Sequence, residues 1–524
     1  MDFFNSDGGF IDFGNSSARI PPRISDIPTP PPGDTNANRA NVIYGDVVDH
    51  SVYPMSCTPS LGKANFLVIP VWFKDSNTFI NPDYKEKVRE DINSTYFGTN
   101  EVTGWRSVKS YYEEESLNSL EINGKVTEWF EINKSYTDYA TDDASGAPKT
   151  SALVKQATDW YFVNHSEDPT TNYDQDGDGY LDGVVLIYAA PDYGTLDRKN
   201  YDNLWAYCFW IQDYRVKSVT NPGVNVFFWA SYDFMYGPNT VSARTGKSHY
   251  YAGETSHASL DAHTYIHETG HMFGLEDYYD YSSNDYLPAG SFSMQDHNVG
   301  GHDPFSSFAL GWGKAYVPIE TTDIDLKPFS TSGEMIILSP TWNEYNSPFD
   351  EYLILEYYTP QGLNEFDASY KYMDGAGKNY PFGSIENGIR LWHVDARLLY
   401  TLNGQFSADR ITSDPTKGAG VVLMMSNTYT HSDGKTESYL SPLGRSYSDY
   451  NLLQLIRNSS TATYRPKDFF DEKSLFKADD TFSMNKYSRQ FVNGELLNSK
   501  KDLGFMFKVN ACNNNYASIS ITKL

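Results

Sequence analysis

Cysteine is scarce in this chain, with three residues among 524, at Cys57, Cys208 and Cys512. Three thiols cannot build a disulfide framework, and their spacing matches no metal-binding pattern, so stability must come from a packed core. One bridge plus one thiol, or a fully reduced chain, are both compatible with that count. Basic residues are also in short supply: 41 Lys and Arg face 68 Asp and Glu, which gives a formal net charge of −27. So acidic a surface disfavours nucleic acid and anionic membranes as partners and otherwise serves solubility. No stretch approaches the ~20 apolar residues of a membrane helix, so no membrane insertion is expected. The start, Met1-Asp-Phe-Phe-Asn-Ser-Asp7, lacks the basic and apolar segments of a signal peptide. Either the protein stays inside the cell or a leader has been removed.

Aromatic residues are plentiful instead, with 41 Tyr and 10 Trp. Such residues suit sheet faces and contact with peptide or glycan, although most serve as core. A chain this long accommodates two or three domains. Residues 1–60 carry Pro21-Pro22 and Thr29-Pro-Pro-Pro-Gly33, the composition of a poorly ordered lead-in or the remnant of a pro-segment. Cys57 within it is read as an ordinary linker cysteine; a thiolate capping a metal in a latent precursor is the sharper and less weighty idea. From residue 62 the pattern is globular. Phe66–Phe73 and Val184–Ala190 are apolar runs expected as buried strands, and Trp205–Ile211 and Val226–Phe234 are aromatic-rich strand candidates. Asp83–Phe97, Ser107–Ser116 and Pro148–Asn164 are expected helices. After about 318, short apolar runs such as Tyr352–Tyr357, Gly388–Val394 and Tyr516–Thr522 alternate with Gly, Asn, Asp and Pro, the spacing of an all-β module. The expected division is therefore 1–60, 61–318 and 319–524.

Residues 267–280, His-Glu-Thr-Gly-His-Met-Phe-Gly-Leu-Glu-Asp-Tyr-Tyr-Asp, concentrate the chemistry. His267 and His271, four apart, fall one turn apart on one helix face, where both imidazoles can grip one metal ion. The bland alternative is two helix histidines facing solvent. Three features weigh against it. Gly274 can end the helix in a left-handed conformation. Asp277, ten residues past His267, can then return as a third ligand. Met294, in Ala289-Gly-Ser-Phe-Ser-Met294, can floor the site from a tight turn. Glu276, Asp280 and Asp285 are rivals as ligands, and Asp280 is better read as a loop-stabilising group.

The string resembles the extended metzincin signature, His-Glu-x-x-His-x-x-Gly-x-x-His followed by a Met-turn, with Asp277 where the third His stands. That departure is similar to immune inhibitor A-like secreted bacterial zinc metallopeptidases, which read His-Glu-x-Gly-His-x-x-Gly-Leu-x-Asp-x-Tyr-Asp. Phe66–Phe73, Ser107–Leu117, Leu120–Val126, Asp176–Asp182 and Leu310-Gly-Trp-Gly-Lys314 extend the likeness over roughly residues 60–400. The resemblance implies an α+β or α/β metzincin-like catalytic domain, a twisted sheet with its active-site helix, followed by a β-rich C-terminal module. It implies one catalytic zinc on His267, His271 and Asp277, with Glu268 as general base. A rim strand would take up an extended substrate, and Val226–Phe234 is the expected one. Met294 would pack beneath the ligands without binding metal. His297 and His302 are candidates for holding the oxyanion, each more readily a loop histidine.

Asp174-Gln-Asp-Gly-Asp-Gly-Tyr-Leu-Asp182 fits the front of a calcium loop. Asp174, Asp176 and Asp178 would supply oxygens, Gly179 the turn, Tyr180 a carbonyl and Asp182 a further ligand. Val185 stands where an EF-hand needs Glu, so a partial, structural calcium site is expected, against a plain Asp/Gly turn. The expected function is a secreted or cell-surface zinc endopeptidase, monomeric, acting on polypeptide or glycoprotein. A catalytically silent, calcium-stabilised adhesin on the same fold is the alternative from another class, and the intact Glu268 weighs against it.

Overall fold

The computed structural model describes residues 57–99, 105–143, 148–191, 202–211, 218–236, 260–280, 286–343, 347–369, 383–400, 405–415, 421–428 and 449–524, with a few single positions and one short hairpin between them. Most of the lead-in expected over 1–60, the rival ligand Asp285, and His249, His257 and His431, histidines whose spacing suggests no ligand role, lie outside the described residues.

The run Phe66–Phe73 forms the greater part of β1 (Gly62–Phe73). Its side chains alternate between two cores, as the period of a strand requires. Phe66 and Val68 join one cluster, and Leu67, Ile69, Val71 and Phe73 the other. The helices α1 (Lys85–Phe97) and α2 (Val108–Glu115) lie in the first cluster. A capping box starts α2: Ser107 and Ser110 exchange bonds between side chain and backbone N–H. β2 (Leu120–Val126) and β3 (Phe130–Ile132) pair in parallel with β1. α3 (Thr150–Asn164) covers the opposite face through Leu153, Val154, Ala157 and Tyr161. β4 (Gly183–Tyr188), β5 (Tyr207–Trp210) and β6 (Val226–Ser231) complete a sheet of order β2-β1-β4-β6-β5. All pairings are parallel except β5 with β6.

This topology corrects one expectation. The run Val226–Phe234 does not supply the rim strand; its strand part, β6, is buried throughout and lies between β4 and β5. The rim belongs to β5, which is short and half-exposed over three of its four residues. A strand flanked on both edges and covered on both faces carries a continuous apolar run, which is what Val226–Ser231 is.

After a hairpin of two-residue strands, β7 (Val241–Ser242) and β8 (Lys247–Ser248), come α4 (His263–Met272), α5 (Met294–His297) and α6 (Pro304–Ala309). Tyr265, Ile266 and Met272 of α4 pack into the same cluster as α1 and α2, so helices sandwich the sheet. From β9 (Lys314–Tyr316) onward strands dominate. They are β10 (Thr322–Leu326), then after α7 (Phe329–Ser332) β11 (Glu334–Leu338) and β12 (Glu351–Tyr358), and after α8 (Asn364–Ser369) β13 (Gly388–Asp395) and β14 (Leu398–Tyr400). β15 (Ile411–Thr412), β16 (Val421–Leu423), β17 (Leu453–Ile456), β18 (Thr481–Phe482), α9 (Met484–Tyr487), β19 (Phe505–Cys512) and β20 (Ala517–Lys523) follow. They form sheets of order β17-β13-β12-β11-β9, β10-β20-β19-β18 and β15-β14-β16. The whole is a mixed α/β structure. The boundary expected at 318 is crossed twice: β9 pairs with β11, and one buried cluster runs from Cys57 to Leu475. Among the described residues no helix is long and apolar enough to cross a membrane, and no disulfide joins the three cysteines.

A buried ion pair ties the C-terminal sheet to the rest. Arg390 forks onto Glu356, whose Oε2 also accepts Trp392 Nε1–H at 2.7 Å. Phe292, Tyr358 and Phe470 surround the guanidinium, with ring centroids at 5.2, 4.8 and 5.3 Å. Phe292 lies two residues before Met294, so this cage anchors the turn that leads to it.

Candidate metal centre

α4 carries His267, Glu268 and His271, all within one short buried helix. It ends as its glycine demands. Gly274 adopts φ +91°, its N–H bonds His271 O at 2.8 Å, and Leu275 N–H reaches back to Gly270 O at 3.2 Å. The reversal brings Asp277 back over the histidines. His267 Nε2 and His271 Nε2 are 3.1 Å apart, and Asp277 Oδ1 lies 3.0 and 3.2 Å from them. A tetrahedral centre with bonds of ~2.0–2.1 Å sets its ligand atoms about 3.3 Å apart, so this triangle is close to metal-ligand size.

Hydrogen bonding fixes what the triangle offers. His267 Nδ1 bonds Met294 O and His271 Nδ1 bonds Leu275 O, both at 2.7 Å. A carbonyl only accepts, so each Nδ1 carries the hydrogen and each neutral ring presents a lone pair at Nε2. Two such lone pairs and a carboxylate oxygen therefore converge on one buried point, an arrangement that calls for a cation. A proton placed there is held hard. Burial works against a charged His271, yet Asp277 outweighs it and lifts the imidazole to about 10. Burial alone would raise the Asp277 carboxyl, but the two imidazoles hold it far below the ordinary carboxylate range. The other oxygen, Asp277 Oδ2, accepts the Tyr279 hydroxyl at 3.0 Å.

Glu268 is 7% exposed. Burial raises its carboxyl above the usual value against the opposing pull of His267 and His271, and the Cys208 N–H on β5 bonds it. The rim strand thus reaches the carboxylate beside the triangle.

Of the other expected site residues, Met294 is fully buried and contributes the carbonyl that holds His267. The turn before it uses Gly290 at φ +77° and Ser291 at φ +59°. Asp280 is buried, outside the triangle. His297, half-buried, bonds Asp296 and meets the Tyr279 ring at 6.2 Å. His302 is corrected as a site candidate. It is 1% exposed in a box of Tyr111, Tyr112 and Trp312, where burial pushes its imidazole down to about 3.

Several contacts escaped sequence reasoning. A Cβ on Gly270 would stand 2.1 Å from Gln295 Oε1, so this glycine admits the segment after Met294 against the helix. His263, one turn before His267, stacks on Trp105 at 4.2 Å with planes 6° apart. Its Nδ1 bonds Asp261 at 2.7 Å and its Nε2 lies 3.3 Å from Asp367 of α8. Asp367 also accepts Gly300 N–H. The small residue inside the motif was a visible sign of close approach; the partner 104 residues away had none.

In the acidic loop the carboxylates of Asp174, Asp176 and Asp182 gather within ligand reach of one another. Asp178 is not in that group; its Oδ1 accepts Tyr180 N–H at 2.8 Å. Asp182 accepts Gln175 N–H at 2.8 Å and Asn65 N–H at 2.7 Å, which ties the loop to β1. Asp174 accepts the N–H groups of Asp178 and Gly179, both at 3.1 Å.

Residues 73–295 match the family described as immune inhibitor A peptidase M6, catalytic domain. Immune inhibitor A of Bacillus thuringiensis subsp. alesti is 25% identical over 239 residues, covering 40% of this chain and 32% of the relative. The chain thus matches about a third of that relative's length. Both comparisons show the resemblance to immune inhibitor A-like peptidases.

The His263 clamp gives a pH-dependent prediction. Burial favours the neutral ring, but Asp261 and Asp367 outweigh it and raise the imidazole to about 10. A raised folded value stabilises fully below the unfolded value of about 6.5 and is lost as pH rises through about 10. His263→Asn should therefore destabilise the fold most near about pH 6, by on the order of a few kcal/mol, and least above about pH 10. An equal loss across that window, measured by calorimetry, contradicts the clamp.

Proposed function

We propose that this protein is a secreted zinc-dependent endopeptidase on a metzincin-like catalytic domain, acting on internal bonds of polypeptides or glycoproteins. The observation that carries this reading is the triangle of His267 Nε2, His271 Nε2 and Asp277 Oδ1, with buried Glu268 next to the first ligand. The donor set, two neutral imidazoles and one carboxylate, fits zinc and leaves a coordination position open. When bound, zinc would lower the pKa of a water molecule and polarise a carbonyl oxygen.

The chain's own residues do the remaining work. Glu268 takes the proton of the attacking water and passes it to the leaving amine, a task suited to a carboxyl raised by burial. The Met294 and Leu275 carbonyls keep both imidazoles in the ligating tautomer. Tyr279 orients Asp277 through the oxygen that faces away from the triangle. β5, antiparallel at the sheet rim and bonded to Glu268 through Cys208 N–H, is the edge to which an extended peptide would add. Residues 61–318 form the peptidase unit in this reading. Residues 319–524 form a β-rich domain, and the stretch to 60 is a lead-in or pro-segment remnant. Secretion is inferred from the resemblance to secreted bacterial peptidases.

A structural calcium belongs to the same proposal. Asp174, Asp176 and Asp182 would hold it, with Asp178 and Tyr180 shaping the turn and supplying further oxygens. Calcium at millimolar concentration should raise the melting temperature, and a calcium-selective chelator should lower it. A melt indifferent to both removes the calcium.

For the reaction, Glu268→Gln should keep its zinc and lose casein cleavage by about 10²–10⁴-fold. Undiminished cleavage by the zinc-loaded variant overturns the assignment.

A further inference from the structure

Away from the metal centre the chain builds a polar cavity. It has a volume of about 350 Å³ and lies where the start of β12, the chain after β13 and the segment 499–501 meet. Asp350, Glu351, Arg397, Thr412, Ser499 and Lys501 contribute to its lining, and no residue of the metal centre does.

The charges around it are set by buried partners. Glu351, 3% exposed, accepts His393 Nε2 at 3.0 Å, Asn498 N–H at 2.5 Å and Ser499 N–H at 2.8 Å. These bonds fix the segment that carries Lys501. Asp395, fully buried, holds Arg397 by its fork, Nε at 2.7 Å and Nη2 at 2.8 Å, and accepts Asn498 Nδ2 at 2.9 Å. A guanidinium gripped on one edge is pre-aimed on the other. Arg397 Nη2 also lies 4.0 Å from Glu351 Oε2, while among the described residues its Nη1 donates to no group and Lys501 Nζ forms no ion pair or hydrogen bond. In a chain of net charge −27, a lysine and a guanidinium nitrogen without partners among the described residues stand out around one cavity. Asp350, also on the lining, accepts Glu351 N–H at 2.9 Å and the Asn343 side chain. A carboxylate has about four acceptor positions, so it retains capacity for further donors. Burial raises its carboxyl above the ordinary value despite Lys501 and Arg397, a cost that a bound cationic donor would relieve.

Donor atoms without partners and a carboxylate with spare acceptor positions around one cavity suit a ligand that carries both charges better than a simple anion or a simple cation. Among the described residues no aromatic ring lines the space to stack on a sugar. The volume is at the small end for ligand pockets. We propose that this cavity binds the zwitterion of a free α-amino acid, its carboxylate between Arg397 and Lys501 and its ammonium on Asp350. The proposal stands apart from the peptidase reading and does not need it.

Isothermal titration of the full-length protein with the common L-amino acids tests it. At least one should bind with 1:1 stoichiometry. Its N-acetyl and amide forms, each lacking one charge, should bind about 10–100-fold more weakly, the worth of one charge-assisted contact. Lys501→Met, at an exposed position, should weaken the amino acid by a similar factor. Asp350→Asn should abolish the preference over the N-acetyl form. Failure of every amino acid to bind at millimolar concentration overturns the proposal. So does equal binding of sodium sulfate at the same site, or wild-type affinity in Lys501→Met.

Discussion

Two hydrogen bonds govern the site. By donating Nδ1–H to the carbonyls of Met294 and Leu275, His267 and His271 are held in the tautomer that turns bare lone pairs toward Asp277. If either carbonyl moved, its ring could flip or retautomerise and the convergence would become an ordinary hydrogen bond. The rest of the structure can be understood as the means of keeping those carbonyls in place. Gly274 reverses the chain so that Leu275 O faces the helix it has just left, and Gly270 lets Gln295 approach so that Met294 O can do the same.

The means extend beyond residue 318. The Arg390–Glu356 pair sits in a cage that includes Phe292, just before Met294. Asp367 and Asn364 of α8 accept the N–H groups of Gly300 and Gly301, and Gly301 O in turn accepts Met294 N–H at 3.2 Å. Asn427 donates to Tyr278 O at 2.8 Å, next to Asp277. Breaking a buried ion pair leaves an uncompensated charge and costs about 3–5 kcal/mol, so the Arg390 contact couples the C-terminal sheets to the geometry of the centre. The C-terminal strands are part of the site's construction as well as its flank.

The local geometry was legible in the sequence because it follows from short-range rules. Helical spacing places His267 above His271, and a glycine with positive φ ends the helix. The tenth residue then returns, which is why Asp277 was favoured over its acidic neighbours. What failed depended on pairing over distance. Val226–Phe234 and Trp205–Ile211 are both aromatic-rich, and composition does not tell which lies at the rim. The distinction lies in continuous burial, complete for Val226–Ser231 and partial for Tyr207–Phe209. His302 and His263 were indistinguishable as letters. One is an uncharged ring in an aromatic box, and the other a clamp between two carboxylates, because their partners come from separate stretches of chain. In the acidic loop, the spacing did not reveal that Asp182 also accepts the backbone N–H groups of Gln175 and Asn65, which ties the loop to β1.

The central claim is that one cation sits where these three lone pairs meet. Crystals grown with zinc and measured at the zinc absorption edge test it most directly. The account predicts one strong anomalous peak within ~2.0–2.2 Å of His267 Nε2, His271 Nε2 and Asp277 Oδ1. A peak elsewhere, or ligation by both histidines with Asp277 turned away, would contradict it.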